Sequence, residues 1–351
     1  MRLTLNERGQ LTSVWDKQRR REVLSEGARA NVLQVFVDRP LKFDAWDIDI
    51  FYQDKMHEID DLLDIQVEES GPLRGALRLR WRFLDSTITQ RIMLHAHSPR
   101  VDFRTEVDWQ EKQMLIKVAF PVAIRATRAT YEIQFGSIER PTHWNTSWDY
   151  ARFEVAAQKW ADLSEGDYGV ALLNDCKYGY DVKDNILRLT LIKSSVQPDA
   201  MADKGQHRFT YSLLPHAGDW RAGDVVRQAY DLNYPLWASE DHHTGTDSQP
   251  PAVNGQRLAG FSFASVNAEN VVLETVKQAE DGDGWIVRLY ECHQQRKQDV
   301  TITFGAPLSR LAACNLLEEA VEDSSLQVAD NQATFALGPY EIKSFRVWFN
   351  R

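Results

Sequence analysis

The sequence predicts an all-β protein built from antiparallel sheets with one buried face. Three observations predict it: apolar residues recur with a period of two, turn residues separate the alternating runs, and only two short stretches carry helical spacing. In ALRLRWRF (76–83), Leu77, Leu79, Trp81 and Phe83 share one face while Arg78, Arg80 and Arg82 share the other. Successive strand side chains point to opposite faces, so this run puts one face in a core and the other in water. VDFRTEVDW (101–109) sets Val101, Phe103, Thr105, Val107 and Trp109 against Asp102, Arg104, Glu106 and Asp108. LRLTL (187–191), HRFTYSL (207–213) and KSFRVWF (343–349) continue the alternation. NERGQ, EDGDG and VADNQ supply Gly, Asn and Asp turns. Helical spacing is confined to DYARFEVAAQKWADL (149–163) and AGDVVRQAYDL (222–232).

One break divides the chain. ASEDHHTGTDSQPPAVNGQ (238–256) is polar, contains a Pro pair and lacks periodicity, so a linker or long loop is expected there between domains at 1–237 and 257–351. After it, GFSFASV, VVLETVKQ, GWIVRLYE, DVTITF, ATFAL and EIKSFRVWF give about six strands, enough for a small sandwich. The residues before it are too many for one ordinary two-sheet sandwich and call for larger sheets.

Composition narrows the function. At 351 residues and 43% hydrophobic, the chain is long enough for a sizeable core and more than one domain. A net charge of −10, spread along the sequence, argues against nucleic acid or an anionic membrane as partner. No apolar run approaches the roughly 20 residues of a membrane span, and MRLTLNERGQLTSVWDK has no signal-peptide pattern. Cys176, Cys292 and Cys314 are far apart and odd in number, as expected of reduced thiols in a cytoplasmic protein. Asn145-Thr146-Ser147 fits a glycosylation triplet, a coincidence in the absence of secretion.

Chemistry-bearing motifs are sparse. There is no phosphate loop and no G-x-S-x-G elbow. His95 and His97 share a strand face, but no third ligand is indicated, and they read as ordinary polar residues; His242 and His243 fall in the linker. Glycoside hydrolysis needs two carboxylates flanking one bond, and the candidates are Asp44, Asp47, Asp149, Asp175 and Glu291. Glu291 reads first as a buried acid held by backbone donors or an arginine. Asp47 and Asp149 lie near tryptophans, the pairing a sugar site requires: a ring for the C–H face and an acid for the hydroxyls. The stretch 140–182 adds Trp144, Trp148 and Trp160 among tyrosines and small polar groups. These residues by themselves define no mechanism.

The order of longer segments says more. GQLTSVWDKQRRREVL, FDAWDID, VDFRTEVDWQEKQMLIKVAFPV, ERPTHWNTSWDYARFEVAAQKWADLSEGDYGVALLNDCKYGYDV, PDAMADKGQHRFTYSLLPHAGDW, VVLETVKQAEDGDGWIVRLYE and GPYEIKSFRV together resemble the C-terminal half of a glycoside hydrolase family 38 α-mannosidase, most similar to the cytosolic and bacterial type. The resemblance covers essentially the whole chain. It implies a large β supersandwich of galactose mutarotase type at 1–237 and a small β-sandwich at 257–351. In the family these follow a three-helix bundle and an N-terminal β/α barrel that carries the zinc ligands, the aspartate nucleophile and the acid/base carboxylate.

The resemblance therefore implies no catalytic residue, metal ligand or cofactor in this chain, with zinc expected in the barrel. The barrel and helix bundle are the implied partners, and an α-mannoside or oligomannose is the implied substrate. Where some branches carry a D-D-x-R-G loop, this chain has NDCKYG, which keeps Asp175 and places Lys177 or Tyr178 near the arginine's position. Where they carry an S-G-A-Y loop, FDAWD offers Trp46 and Asp47. The implied role is to shape the substrate cleft of an enzyme that hydrolyses terminal α-D-mannosides with retention, without activity of its own. A stand-alone carbohydrate-binding module is the alternative. A mutarotase-like epimerase trails, since no His/Glu pair for ring opening is evident.

Overall fold

The computed structural model describes residues 1–238, 252–253, 256–257 and 261–350. It divides into two units: Met1–Ile133 with Ile138–Pro235, and Gln134–Ser137 with Leu236–Arg351.

The N-terminal unit is a sandwich of two large antiparallel sheets. One has nine strands in the spatial order Gly136–Pro141, Arg128–Ile133, Trp160–Ser164, Tyr168–Asn174, Gly205–Ala217, Val101–Trp109, Ser86–His95, Arg74–Phe83 and Asp61–Ser70. The other has six: Val155–Ala156, Gly179–Lys183, Ile186–Ser194, Met114–Pro121, Val32–Val37 and Met56–Glu58. A third, three-stranded sheet holds Arg2–Leu5, Leu11–Asp16 and Arg21–Glu22. The alternation read from the sequence explains the core. Leu79, Trp81, Phe103, Val107, Tyr211 and Leu213 from the larger sheet belong to one buried cluster with Val35, Ile116, Val118, Phe120, Leu187 and Leu189 from the smaller. Phe120 packs 5.7 Å from the Phe103 ring and 6.2 Å from Tyr211.

Polar groups inside this core are matched to one another, as burial requires. The Asn31 amide donates to Gln90 Oε1 (2.7 Å), Gln90 Nε2 donates to Tyr211 Oη (2.8 Å) and Thr105 Oγ1 (2.9 Å), and the Tyr211 hydroxyl donates to Asn31 Oδ1 (2.6 Å).

The outer face of the nine-stranded sheet carries a helix, Val225–Asn233, which overlaps the stretch with helical spacing at 222–232. It buries Val225, Val226 and Ala229, and nearby the Trp160 and Trp220 rings lie 5.2 Å apart. The other expected helix, 149–163, is corrected. Only Ser147–Ala151 is helical, capped by Thr146, whose Oγ1 accepts from Asp149 N. Val155–Ala156 and Trp160–Ser164 are strands. Ala161 and Leu163 enter the sandwich core while Trp160 and Asp162 are buried too. A strand buried on both faces loses the alternation that distinguishes it from a helix. The strand at 86–95 stops at His95, so His97 does not share a strand face with it; His95 Nε2 instead lies 3.4 Å from Asp102.

At the rim of the larger sheet, Asp61–Ser70 breaks register twice, between Leu62 and Asp64 and between Val67 and Glu69. Ile65 and Val67 are exposed there.

The C-terminal unit is a small sandwich of two four-stranded sheets. One orders Ala264–Val266, Lys297–Phe304, Gln332–Leu337 and Gln327–Ala329; the other Val271–Gln278, Trp285–Glu291, Ile342–Phe349 and Leu308–Cys314. Val287, Leu289, Ile302, Phe304, Phe335, Phe345 and Val347 form its core, with the Phe335 and Phe345 rings 4.7 Å apart. Leu308–Cys314 and Gln327–Ala329 exceed the six strands read from sequence. Gln327–Ala329 has only three residues, and Leu308–Cys314 carries no clear alternation. The stretch expected to be a linker lies largely outside the described residues, His242 and His243 included; Ala252–Val253 and Gln256–Arg257 form a two-residue ladder.

Candidate functional site

The ladders of the six-stranded sheet bring three loops to one end of the N-terminal unit. Met114 is paired with both Val37 and Ser194, so the chain leaves that end after each of those strands. Gly179 begins the next strand from the same end, because Tyr180 is paired with Leu189. The loops 38–49, 174–179 and 194–204 therefore share an end. Asp44 ties two of them together: its Oδ2 accepts from Val196 N (2.7 Å) and Gln197 N (3.2 Å).

All five substrate-contact candidates sit on these loops. In the first, Trp46 N and Asp47 N both donate to Phe43 O, at 2.8 and 2.9 Å, closing a turn. The turn presents Trp46 to solvent at 73% exposure, with Asp47 exposed beside it. In the second, buried Asn174 accepts from Lys177 N (2.5 Å) and donates to Gln158 O (2.9 Å) and Tyr180 Oη (2.7 Å). Asp175 extends the ladder, its N donating to Thr210 O (3.0 Å) and its Oδ2 accepting from Thr210 N (2.9 Å). Partial desolvation and the hydrogen bond to Asp175 push the neighbouring, still exposed Cys176 thiol up to about 11. Lys177 Nζ lies 4.7 Å from the centre of the Phe209 ring, and Tyr178 is exposed. The structure thus places Asp175, Lys177 and Tyr178 on one turn and Trp46 and Asp47 on another. Two strands separate the strands these turns adjoin, a spacing of about 14 Å at ~4.8 Å per strand.

The exposed rings of Trp46 and Tyr178 are the groups free to stack on a sugar face, and Asp47 is the free acid. The other candidate carboxylates are engaged. Asp149 accepts from Thr146 Oγ1 (2.9 Å) at the helix cap. Glu291, fully buried in the C-terminal unit, accepts from Asn270 Nδ2 (3.0 Å), His293 N (2.8 Å) and Tyr340 N (3.1 Å), so backbone and amide donors hold it. Among the described residues no three His, Cys, Asp or Glu side chains are grouped to hold a metal. The donor set here does not fit a zinc centre.

Beneath the loops lies a group of charges that sequence reasoning missed. Lys117, fully buried on the outer face of the six-stranded sheet, donates to Asp181 Oδ2 (2.7 Å) and to Glu154. Arg188 donates to Asp181 Oδ1 (2.7 Å), Thr190 to Glu154, and the Lys117 ammonium lies 5.3 Å from the centre of the Tyr52 ring. Burial alone would lower the lysine pKa, but Asp181 and Glu154 outweigh it and raise it above the ordinary value. Nearby Lys193 donates to buried Asp38, whose carboxyl burial holds above the usual range. The signal was visible: a lysine in the apolar run MLIKVAF of a central strand must find buried counter-charges. At the opposite end of the unit, a cavity of about 960 Å³ is lined by Arg125, Arg128, Asp162, Asp219 and Arg221 among others, and contains none of the candidates.

Comparison with known proteins agrees with this architecture. Residues 1–201 match the family described as Glycosyl hydrolases family 38 C-terminal domain, and residues 270–345 match the Glycosyl hydrolases family 38 C-terminal beta sandwich domain. The human protein Alpha-mannosidase 2C1 is 40% identical over 98% of this chain, and Alpha-mannosidase G of Dictyostelium discoideum is likewise 40% identical over 98%. A yeast (Saccharomyces cerevisiae) Alpha-mannosidase is 31% identical over 97%. The chain spans about a third of the length of these relatives. A crystal structure of an alpha-mannosidase from Enterococcus faecalis shares the fold at a TM-score of 0.76 and 16% identity, covering 98% of this chain and 41% of that one. On these matches and this fold, the chain belongs to glycosyl hydrolase family 38, of which it is a C-terminal portion.

Proposed function

We propose that this chain serves an α-mannosidase that hydrolyses terminal α-D-mannosides, forming one wall of its substrate cleft and lacking turnover by itself. The observation that carries the reading is the similarity to α-mannosidases along nearly the whole chain, which nonetheless spans a third of their length. The loops bearing Trp46, Asp47, Asp175, Lys177 and Tyr178 supply the wall, with Trp46 and Tyr178 stacking on sugar and Asp47 accepting hydroxyls. The nucleophile, the acid/base carboxylate and the zinc ligands belong to the portion of the enzyme outside this chain, whose barrel and helix bundle are its partners. We assign this role to the supersandwich at 1–237, with 238–256 as linker and 257–351 as a supporting sandwich, in a cytoplasmic enzyme. No helix among the described residues is long and apolar enough to cross a membrane.

The test is an assay of the purified chain on an aryl α-mannoside with added zinc. No turnover above background is expected, and robust zinc-dependent turnover would overturn the reading. The 73% exposure of Trp46 also favours a second reading, a free-standing carbohydrate-binding module. Calorimetric titration with oligomannosides separates the two: binding tighter than a few mM by the isolated chain, roughly −3 to −4 kcal/mol, supports the module.

A further inference from the structure

The buried charge group under the loops touches both halves of the proposed wall. Lys117 reaches Tyr52, in the 3-10 turn Ile50–Asp54 that follows the Trp46–Asp47 loop, and Glu154, which lies under the Asp175–Tyr178 turn. Three observations connect Glu154 to that turn. A Cβ on Gly179 would lie 2.5 Å from Glu154 Oε1, so the chain passes directly over the carboxylate. Val155 and Ala156 are paired with Tyr180 and Gly179. Ala157 N donates to Tyr178 O (3.0 Å). On the other side, Tyr52 is buried at 1% exposure and packs edge-on against Phe36 (5.0 Å), with Phe153 at 6.2 Å. Leu115, two residues before Lys117 on the same face, completes this small cluster.

Both loops thus leave the sheet over one ammonium group. The two cations, Lys117 and Arg188, face the two carboxylates, Glu154 and Asp181, at hydrogen-bonding geometry, so the group is neutral as a whole. An apolar residue at 117 would fill the space, but it would leave the partly buried Glu154 carboxylate without its cation, and such a group stripped of its partner is driven toward solvent. Glu154 directly precedes Val155–Ala156, the strand paired with Tyr180 and Gly179, so a shift of its backbone is passed to the turn that ends at Tyr178. We propose that Lys117 is a positioning residue that fixes the spacing between the Trp46–Asp47 loop and the Asp175–Tyr178 turn. The proposal rests on reading those loops as substrate contacts, but the spacing itself is measurable without any sugar.

Spin labels at Trp46→Cys and Tyr178→Cys, with Cys176→Ser to remove the exposed thiol, report the distance between the loops in the full chain. One narrow distribution is expected with Lys117 present, and at least a twofold broadening with Lys117→Met. Hydrogen exchange in Lys117→Met should rise tenfold or more in 50–54, 154–157 and 176–180, while 101–109 and 207–217 keep the native rate. Glu154→Gln guards against a Lys117→Met chain that fails to fold, because Asp181 and Tyr52 still face the lysine. It should loosen 154–157 and 176–180 and leave 50–54 unchanged. An unbroadened distribution in Lys117→Met, or Glu154→Gln with native exchange at 176–180, overturns the proposal. Oligomannoside binding or turnover tests the cleft reading separately, so its failure is distinguishable from failure of the tether.

Discussion

Arg21 joins three segments of the N-terminal unit through one carboxylate. Its guanidinium donates to Glu165 Oε1 (2.5 Å) and Ala123 O (2.7 Å) while stacking 4.4 Å over the Tyr168 ring, and Glu165 Oε2 accepts from Arg125 N (2.8 Å). Burial pushes the Glu165 pKa up, but the Arg125 amide and Arg21 outweigh it and hold the carboxyl below its ordinary range. A depressed folded-state pKa contributes stability that is present above the unfolded value and lost as pH falls through the folded one. Glu165→Gln is therefore expected to cost about 0.5–1 kcal/mol at pH 7, the scale of a partly exposed pair, and to approach wild type only as pH falls below the ordinary glutamate range and through the depressed folded value. Urea midpoints at pH 7 and below that range check this; a difference that ignores pH would contradict the assignment. The candidate residues behave less uniformly than their side-chain types suggest. Asp175 spends one oxygen on Thr210 and serves as backbone scaffolding, whereas Trp46 and Tyr178 stand free. A sequence names the residue type at a position but not which neighbour will claim its lone pairs.

At the scale of elements, the strand Tyr168–Asn174 shows how a sheet accommodates a buried contact between an imidazole and a carboxylate. His216 Nε2 lies 2.7 Å from Asp162 Oδ2, and Ser164 donates to the other oxygen of that carboxylate. The imidazole fits because two glycines flank it: a Cβ at Gly169 would lie 2.3 Å from both His216 Cε1 and Ser164 Oγ, and one at Gly223 would lie 2.3 Å from the same ring. With both sides closed the ring has nowhere to retreat, so Gly169→Ala is expected to destabilise the unit by about 1–3 kcal/mol, as overpacking does. Chemical denaturation measures it, and native-like stability would show that the ring has room. Strands with one wet face, such as Arg74–Phe83, were legible from their alternation. Trp160–Ser164 was not, because burial on both sides erases the period, and its neighbourhood was read as helix. The loop end of the candidate site was not legible either: it depends on register, with Val37 and Ser194 both opposite Met114, and register is a long-range property of the ladder.

At the scale of the molecule, the two units have separate cores, each closed by two sheets. Family membership follows from segments spread over the whole chain, so the sequence alone carries it. The rim strand Asp61–Ser70 has a consequence for the protein in solution. Its two irregularities cut a ten-residue edge into short pieces, the longest being Asp64–Val67. An incoming chain cannot zip along such an edge, since its hydrogen bonds fall out of step at each bulge. The exposed Ile65 and Val67 can therefore sit at the margin without seeding stacked, fibre-like growth. Deleting Glu68 would straighten one bulge, and light scattering at high concentration should then report progressive self-association well beyond that of the native chain. If the deletion variant stayed as dispersed as the native chain, the bulges would have no such protective role. An irregularity that looks like a flaw in the ladder thus guards the open edge of a large sheet.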